Sequence, residues 1–158
     1  MARALIVGCG CLGTELGRTL ADDGWVVRGT SRTAEGAQRI EGAGLEGVVC
    51  DPDRVGTVLE HVGDVAVVAW ALGGAAGSSA QDVNGHRLER MLERLVDTPV
   101  RGFVLDTPPA HPEAKDLVAA ASATWRIPAR VVDVDRARTR DWVAGMRDAV
   151  ADLIGGPV

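Results

Sequence analysis

Three glycines near the start of the chain constrain its fold more than any other feature. The apolar segment 4–7 leads directly into Gly8, Gly10 and Gly13, which have the spacing G-x-G-x-x-G. The apolar positions that follow recur with helical period: Leu12, Leu16 and Leu20. A buried strand, a tight turn and a helix that begins at the turn are therefore predicted.

Each glycine has a chemical role in the predicted turn. Gly8 lets the chain leave the strand sharply, Gly10 lets the backbone approach a pyrophosphate, and Gly13 lets the helix lie close to the sheet. The helix then presents the free N–H groups of its first residues, Cys11 and Leu12, to an anion. We therefore expect a bound dinucleotide cofactor. The alternative is a glycine-rich turn that binds nothing.

The end of the second strand, residues 25–30, indicates which dinucleotide is preferred. An NAD site places Asp or Glu about 20 residues beyond the glycines to hold the ribose 2′-hydroxyl, whereas NADP needs cations and hydroxyls for its 2′-phosphate. This chain has Thr30, Ser31 and Arg32 there and no carboxylate from 24 to 34. NADP(H) is therefore favoured over NAD(H). In a plainer interpretation, Thr30 or Ser31 caps the helix that starts near Thr33.

Two later strand ends complete the predicted cofactor crevice. Asp51 and Pro52 follow the third strand, residues 45–50, and Asp51 is a candidate acceptor for the adenine amino group. An Asx turn, or an N-cap by Asp53 on the third helix, explains the same residues equally well. The fourth strand, residues 64–70, ends in a segment that we expect to line the crevice: Trp70, Ala71, Leu72 and Gly73.

The rest of the chain continues the alternation of strands and helices. An amphipathic helix is predicted over 81–96, with Asn84 and Gly85 near its start. The last predicted elements are a strand at 102–105, a helix from near 112 to 125, a strand at 129–134 and a helix at 139–154. Right-handed crossovers then predict one α/β domain over 1–158. It is a doubly wound Rossmann fold with helices on both faces and six parallel strands in the order 3-2-1-4-5-6.

Composition limits the classes of partner. The chain has 158 residues, 46% of them hydrophobic, and a net charge of −5, which predicts a globular protein with no nucleic-acid surface. Its longest apolar run, 65–77, is too short and too glycine-rich for a membrane span, and no signal-peptide pattern precedes the first strand. A cytoplasmic location is therefore expected.

The three cysteines of the chain, Cys9, Cys11 and Cys50, indicate neither a disulfide framework nor a metal site. A redox role for Cys11 stays open.

Taken in order, these segments resemble the extended and atypical short-chain dehydrogenases/reductases, a group that includes NAD-dependent epimerases/dehydratases. The matching segments are Gly8–Gly13, Val49–Asp53, Val83-Asn84-Gly85 followed by Leu92, Phe103–Thr107 and Ile127–Val132. The resemblance implies an NAD(P)-binding fold. It also places Thr107 where that family has a substrate-orienting serine, with Asp106 beside it as a candidate acid.

The catalytic pair of that family is absent from this chain. Those enzymes use Tyr-x-x-x-Lys, in which the lysine lowers the pKa of the tyrosine so that the phenol exchanges a proton with the substrate. This sequence has no tyrosine, and its only lysine is Lys115, four positions after His111. His111 and Lys115 are candidates for a replacement acid and its helper. The alternative is a turn histidine and a solvated lysine. The resemblance also covers little of the substrate-binding part of extended members.

Three functions are compatible with these patterns. The favoured one is an NADP(H)-binding protein that senses the cofactor, regulates, or serves as a subunit, as a homodimer or within a larger complex. The alternative is an NADP-dependent oxidoreductase or epimerase-like enzyme that acts on a small carbonyl or sugar-like substrate through His111 or Asp106. The third is an interaction module whose glycine turn binds no cofactor.

Overall fold

The structure, a computed structural model, describes residues 2–75 and 78–155, which form one parallel sheet covered by helices on both faces. The strands are β1 (Arg3–Val7), β2 (Val26–Ser31), β3 (Glu46–Val49), β4 (Val67–Trp70), β5 (Gly102–Asp106) and β6 (Ala129–Val132). The helices are α1 (Cys11–Asp22), α2 (Ala34–Gly42), α3 (Val55–Leu59), α4 (Ser78–Val83), α5 (His86–Leu95), α6 (Ala114–Trp125) and α7 (Thr139–Gly155). The sheet order is β3-β2-β1-β4-β5-β6. The predicted fold class and strand order are confirmed, although β3, β4 and β6 are shorter than the predicted strands at 45–50, 64–70 and 129–134.

Alternation of side chains along the central strands builds a hydrophobic core on each face of the sheet. Leu5 of β1 belongs to the core under α3, α5 and α6, whereas the next residue, Ile6, belongs to the core under α1, α2 and α7. Trp70 and Trp142 are the largest fully buried side chains, one in each core. Because both faces are covered, the central strands consist almost entirely of apolar residues, as their uninterrupted hydrophobic runs predict.

The predicted helix over 81–96 is wrong in one respect, since it is two helices, α4 and α5, that meet at Asn84 and Gly85. The indole N–H of Trp70 donates to the carbonyl of Val83 at 3.1 Å. The Asn84 side chain turns inward and donates to the carbonyl of Ala80 at 2.9 Å. Gly85 has φ −129° and ψ −104°, outside the helical region. Side-chain donors thus occupy the carbonyls of Ala80 and Val83 at the break, and a separate helix begins at His86.

A buried arginine ties together the amino ends of the strands, away from the glycine turn. Arg28 of β2 is 8% exposed. Its guanidinium donates to both carboxylate oxygens of Asp64 at 2.8 and 3.1 Å and to the carbonyl of His61 at 2.7 Å. Glu46 Oε1 lies 3.0 Å from its Nε, and Arg3 also pairs with Asp64. Asp64, predicted to begin the fourth strand, is held outside it. The hydrogen bonds from Arg28, reinforced by the charges of Arg28 and Arg3, lower the pKa of the Asp64 carboxyl to about 2.

We expect Asp64→Asn to lower the free energy of unfolding at neutral pH by about 1 kcal/mol, because it weakens the pairing of a buried guanidinium with a carboxylate that is itself half exposed. A carboxyl whose pKa is depressed on folding contributes its full stability above its ordinary pKa of 3.8, and loses that contribution as the pH falls through about 2. In urea unfolding curves, the difference between parent and variant should persist down to about pH 5 and shrink below it. Asp97→Asn, at an exposed position, is the control. A difference independent of pH would contradict this account.

Candidate functional site

The glycine turn leaves β1 in a conformation that only glycine adopts without strain. Gly8 has φ +86°. A Cβ placed on it would lie 2.5 Å from Leu72 Cδ2 and 2.8 Å from the carbonyl oxygen of Ala71. Gly13 lies in the first turn of α1, and a Cβ on it would lie 3.1 Å from the Gly8 carbonyl oxygen. The chain therefore turns tightly between β1 and the end of β4, and α1 packs close to the sheet.

Gly10 stands at the N-cap of α1, and nothing in the described structure fills the space in front of it. A Cβ on Gly10 would meet no atom within 4 Å. No side chain caps the helix, and its first turn contains no acidic residue. The first intrahelical bond runs from Thr14 N to Gly10 O at 2.8 Å, so the amides of Cys11, Leu12 and Gly13 have no helical acceptor. This open cradle, with free donors and the positive end of a helix dipole, fits a pyrophosphate.

The cradle opens into a cavity of about 340 Å³ at the carboxyl ends of β1, β2 and β4. Its walls include Gly8 and Gly10 on one side and Ser31 and Arg32 on another. A second cavity, of about 490 Å³ between α1 and α2, shares Cys9, Gly10 and Ser31 with the first. The first cavity is the crevice at the carboxyl edge of the sheet, where open α/β folds place their ligands, and the second cavity continues from it into the groove between α1 and α2.

Thr30 serves the turn itself. It is 2% exposed, and its hydroxyl accepts a hydrogen bond from Gly8 N at 3.1 Å, while its carbonyl accepts from Cys9 N at 3.0 Å. The plainer interpretation, that Thr30 or Ser31 caps α2, is wrong, because the N-cap is Thr33, whose hydroxyl accepts from Gly36 N at 3.1 Å. Thr30 and Ser31 at the end of β2, and Arg32 directly after it, all line the first cavity.

Tertiary structure brings a carboxylate to Arg32 that the sequence window 24–34 does not contain. Asp51, at the end of β3, has its Oδ1 3.6 Å from Arg32 Nε. The absence of carboxylates from 24 to 34 therefore does not keep negative charge away from a 2′-phosphate at Arg32. Asp51 Oδ1 also accepts from Asp53 N at 2.9 Å, which is the Asx turn weighed from the sequence. Asp53 is not the N-cap of α3, since that position is Arg54. Pro52, between the two acids, is buried.

The segment after β4 contributes less to the crevice than predicted. Ala71 and Leu72 line the cavity. The Trp70 side chain is fully buried in the core and bonds to α4, so the expectation that it lines the crevice is wrong. Alternation along β4 sends Trp70 and Ala71 to opposite faces of the sheet. Gly73 is also buried, and its amide donates to Asp106 Oδ2 at 3.0 Å.

Asp106 is enclosed at the end of β5 and does not face solvent as a free acid. Its side chain is fully buried. Its carboxylate accepts from Gly73 N at 3.0 Å, from Trp142 Nε1 at 2.9 Å and from Arg136 Nη1. Burial raises the pKa of this carboxyl above its ordinary value, and the hydrogen bond from Trp142 and the charge of Arg136 oppose that rise. Thr107, which follows, is 5% exposed, and its buried hydroxyl has no hydrogen-bond partner among the described residues.

His111 and Lys115 do not form the helical pair that their spacing suggests. His111 lies in a turn before α6, with its amide bonded to the carbonyl of Pro108 at 3.1 Å and its Nδ1 3.6 Å from Glu113. Lys115 is exposed in the first turn of α6, which begins only at Ala114 because the prolines before it delay the helix. Neither side chain belongs to the walls of the two cavities described above.

Arg136 lines the cavity and was missed by the sequence analysis. The signal that points to it is the pair Gly73-Gly74, because a Cβ on Gly74 would lie 2.8 Å from Arg136 Nε.

Cys9 is buried, which raises the pKa of its thiol to about 11, whereas Cys11 is exposed at the start of α1. Within 2–75 and 78–155 there is no metal-holding cluster of His, Cys, Asp or Glu, and no helix is long and apolar enough to cross a bilayer.

The fold is shared with solved reductases and epimerases. The yeast methylglyoxal/isovaleraldehyde reductase in complex with NADPH matches with a TM-score of 0.65 and 13% identity, over 83% of this chain and 53% of the reductase. UDP-glucuronic acid 4-epimerase from Bacillus cereus, in complex with NAD, gives 0.61 and 14%, over 82% and 55%. This chain thus spans about half the length of either enzyme.

A third structure is closer in length. A protein from Corynebacterium glutamicum, named as a short-chain dehydrogenase/reductase, matches with a TM-score of 0.70 and 18% identity, over 94% of this chain and 90% of that protein. No protein-family profile matches the sequence, and no curated protein does. At these identities the similarity establishes the Rossmann fold of this group of proteins.

The two glycines at the turn should respond differently to an added methyl group. Gly8→Ala should lower the free energy of unfolding by about 2 kcal/mol or more, because of the positive φ and the contact with the Ala71 carbonyl. Gly10→Ala should lower it by less than about 1 kcal/mol, since its methyl group enters open space. Denaturant unfolding of both variants checks this. Equal losses would contradict the geometry described for the turn.

Proposed function

We propose that this chain binds a nicotinamide dinucleotide, with the pyrophosphate at the amino end of α1. The observation that carries the proposal is the empty space in front of Gly10, together with the uncapped amides of Cys11, Leu12 and Gly13. A glycine-rich turn with no ligand would leave these donors to water alone. From that point the crevice extends past the carboxyl ends of β2 and β4, where an extended dinucleotide would lie.

NADP(H) is the preferred form in this proposal. Arg32 is half exposed at the crevice, so its guanidinium is accessible to a 2′-phosphate, and Ser31 adds a hydroxyl beside it. Asp51 stands 3.6 Å from Arg32 Nε and has two effects. It orients the guanidinium, and it brings a negative charge near the site of the phosphate. The preference therefore depends on the balance between Arg32 and Asp51.

A cofactor-sensing, regulatory or subunit role follows from the state of the candidate acids. Asp106 is enclosed by three donors. His111 and Lys115 lie outside the crevice walls. When bound, a nicotinamide cofactor would supply hydride transfer, and none of these three side chains lines the cavities in which we propose that it binds. In such a role, a partner chain or a second copy of this one would bind differently to the cofactor-bound and the cofactor-free protein. The cytoplasmic location stays a prediction.

One observation favours the second candidate function, an NADP-dependent oxidoreductase acting on a small carbonyl or sugar-like substrate. Thr107 has a buried hydroxyl with no partner among the described residues. An unpaired buried hydroxyl costs free energy unless a ligand completes its hydrogen bonding. In this interpretation Thr107 orients a substrate carbonyl.

Titration calorimetry with NADPH and NADH tests the binding proposal. The unchanged protein should bind NADPH, and Gly10→Val should not, because its side chain fills the cradle while the fold is kept. Circular dichroism and a melting curve confirm that Gly10→Val is folded. Failure of the unchanged protein to bind either dinucleotide would leave the glycine turn with a structural role only.

Arg32→Ala should weaken NADPH binding by about 1–3 kcal/mol and change NADH binding little, because only NADPH carries the 2′-phosphate. Asp51→Asn is the counterpart. It removes the nearby negative charge and should increase the NADPH preference. The ratio of the two dissociation constants is the measurement for each variant. An equal loss for both cofactors in Arg32→Ala would refute the assigned selectivity.

Enzyme and sensor are separated by following cofactor oxidation over a panel of small carbonyl and sugar substrates. The sensor proposal predicts no turnover with protein that binds NADPH. If turnover is seen, the second candidate gains support when Thr107→Val, which keeps the side-chain volume, lowers it by about tenfold or more. Turnover unchanged in Thr107→Val would exclude Thr107 from the reaction.

A further inference from the structure

Arg136 reaches from the last loop of the fold across the carboxyl edge of the sheet. It lies between β6 and α7, in a loop that includes residues 133–134, predicted as strand. The loop is held by an Asx turn in which Asp135 Oδ1 accepts from Ala137 N at 2.9 Å, and by a bond from Arg138 N to Asp135 O at 3.0 Å. The backbone that carries Arg136 is therefore locally ordered by its own hydrogen bonds.

Two sides of the Arg136 guanidinium are occupied by the fold. Its Nη1 donates to Asp106 Oδ2, and its central carbon lies 4.9 Å from the centroid of the Trp142 ring. Trp142 in turn donates from Nε1 to Asp106 Oδ1 at 2.9 Å. The carboxylate and the indole thus hold the guanidinium in one position, with little rotamer freedom left to lose when a ligand binds.

The loop after β4 has the composition that this arrangement needs. A Cβ on Gly73 would come within 2.6 Å of Asp106 Oδ2, and a Cβ on Gly74 within 2.8 Å of Arg136 Nε. Two consecutive glycines therefore allow the Asp106–Arg136 pair to lie against the end of β4. Backbone conformation does not require glycine at these two positions, because neither Gly73 nor Gly74 has a positive φ. The space taken up by Asp106 and Arg136 does.

The rest of the guanidinium faces the crevice. The Arg136 side chain is 25% exposed and lines the same cavity as Gly8, Gly10 and Arg32. Among the described residues, its ion-pair partner is Asp106, which binds through Nη1. A guanidinium has five N–H donors in a planar fork, so donors remain for an anion on the cavity side.

We propose that Arg136 binds the pyrophosphate of the dinucleotide from across the cavity, opposite the glycine turn, with Asp106 and Trp142 as the residues that position it. The inference rests on the proposed function. The amides of α1 supply only a partial positive charge, whereas a pyrophosphate carries about two negative charges. Arg136, whose charge is shared with Asp106, adds its remaining guanidinium N–H donors on a second wall of the same cavity. Arg32 serves the 2′-phosphate and Arg136 the pyrophosphate, so the two arginines have separable effects.

The experiment compares three ligands in calorimetric or fluorescence competition titrations of the full chain. NADPH and ADP-ribose contain the pyrophosphate, and adenosine 2′-monophosphate does not. Arg136→Ala should weaken NADPH and ADP-ribose by about 10- to 100-fold and leave adenosine 2′-monophosphate within about twofold. Arg140→Ala removes an exposed arginine of α7 and is the matched control, with all three ligands unchanged.

Arg136→Ala leaves the buried Asp106 charged and unpaired, and the protein then unfolds if that charge is too costly. A second variant avoids this problem. The double variant Asp106→Asn with Arg136→Gln keeps polar groups at both positions and removes both charges. It should show the same loss confined to the two pyrophosphate ligands. Arg136→Lys keeps the charge without the planar fork and should retain part of the affinity.

The outcomes separate this inference from the proposal on which it rests. If the unchanged protein binds none of the three ligands, the proposed function fails, and this inference with it. If the unchanged protein binds NADPH and the Arg136 variants bind it within twofold of Arg140→Ala, only the assignment of Arg136 is overturned. An equal loss for all three ligands would also overturn it, because that result indicates a general structural role.

Discussion

The close contact between Gly8 and the end of β4 is the constraint on which the carboxyl edge of this fold depends. Gly8 turns with φ +86° against Ala71 and Leu72. The hydroxyl of Thr30, on the neighbouring strand, accepts a hydrogen bond from the Gly8 amide. Three adjacent strand ends are therefore locked together within a few ångströms. The orientation of α1 follows from this contact, because the helix begins three residues later and Gly13 allows it to pack against the Gly8 carbonyl.

A second set of contacts, centred on the Asp106 carboxylate at the end of β5, lies on the other side of β4. Asp106 collects donors from the β4 loop, from the loop after β6 and from α7, which are distant in sequence. A buried carboxylate without these donors would be costly, so the three elements are held around it. The carboxyl edge is thereby divided into a part governed by backbone geometry at Gly8 and a part governed by hydrogen bonding to Asp106. The crevice lies between them.

Charge is distributed unevenly over the molecule. The chain carries a net charge of −5, yet the crevice has the positive end of α1 and the side chains of Arg32 and Arg136. The acids nearest to those arginines, Asp51 and Asp106, are each engaged in hydrogen bonds of their own. The charges of these acids offset those of the two arginines, so the proposal of an anionic ligand at this edge depends on the free amides of α1 and on the guanidinium donors that the acids leave unused.

The amino-acid sequence alone determined the fold class, the strand order and the location of the glycine turn, because these depend on local signals: apolar periodicity, glycine spacing and the right-handed crossover. It did not determine the break in the helix at Asn84, which depends on a hydrogen bond from Trp70 to Val83 thirteen residues away. Nor did it determine the pairing of Arg32 with Asp51, or the cluster of Asp106, Trp142 and Arg136. Those contacts join residues that end or follow different strands, or lie on α7, and only the packing of the sheet and its helices brings their side chains together.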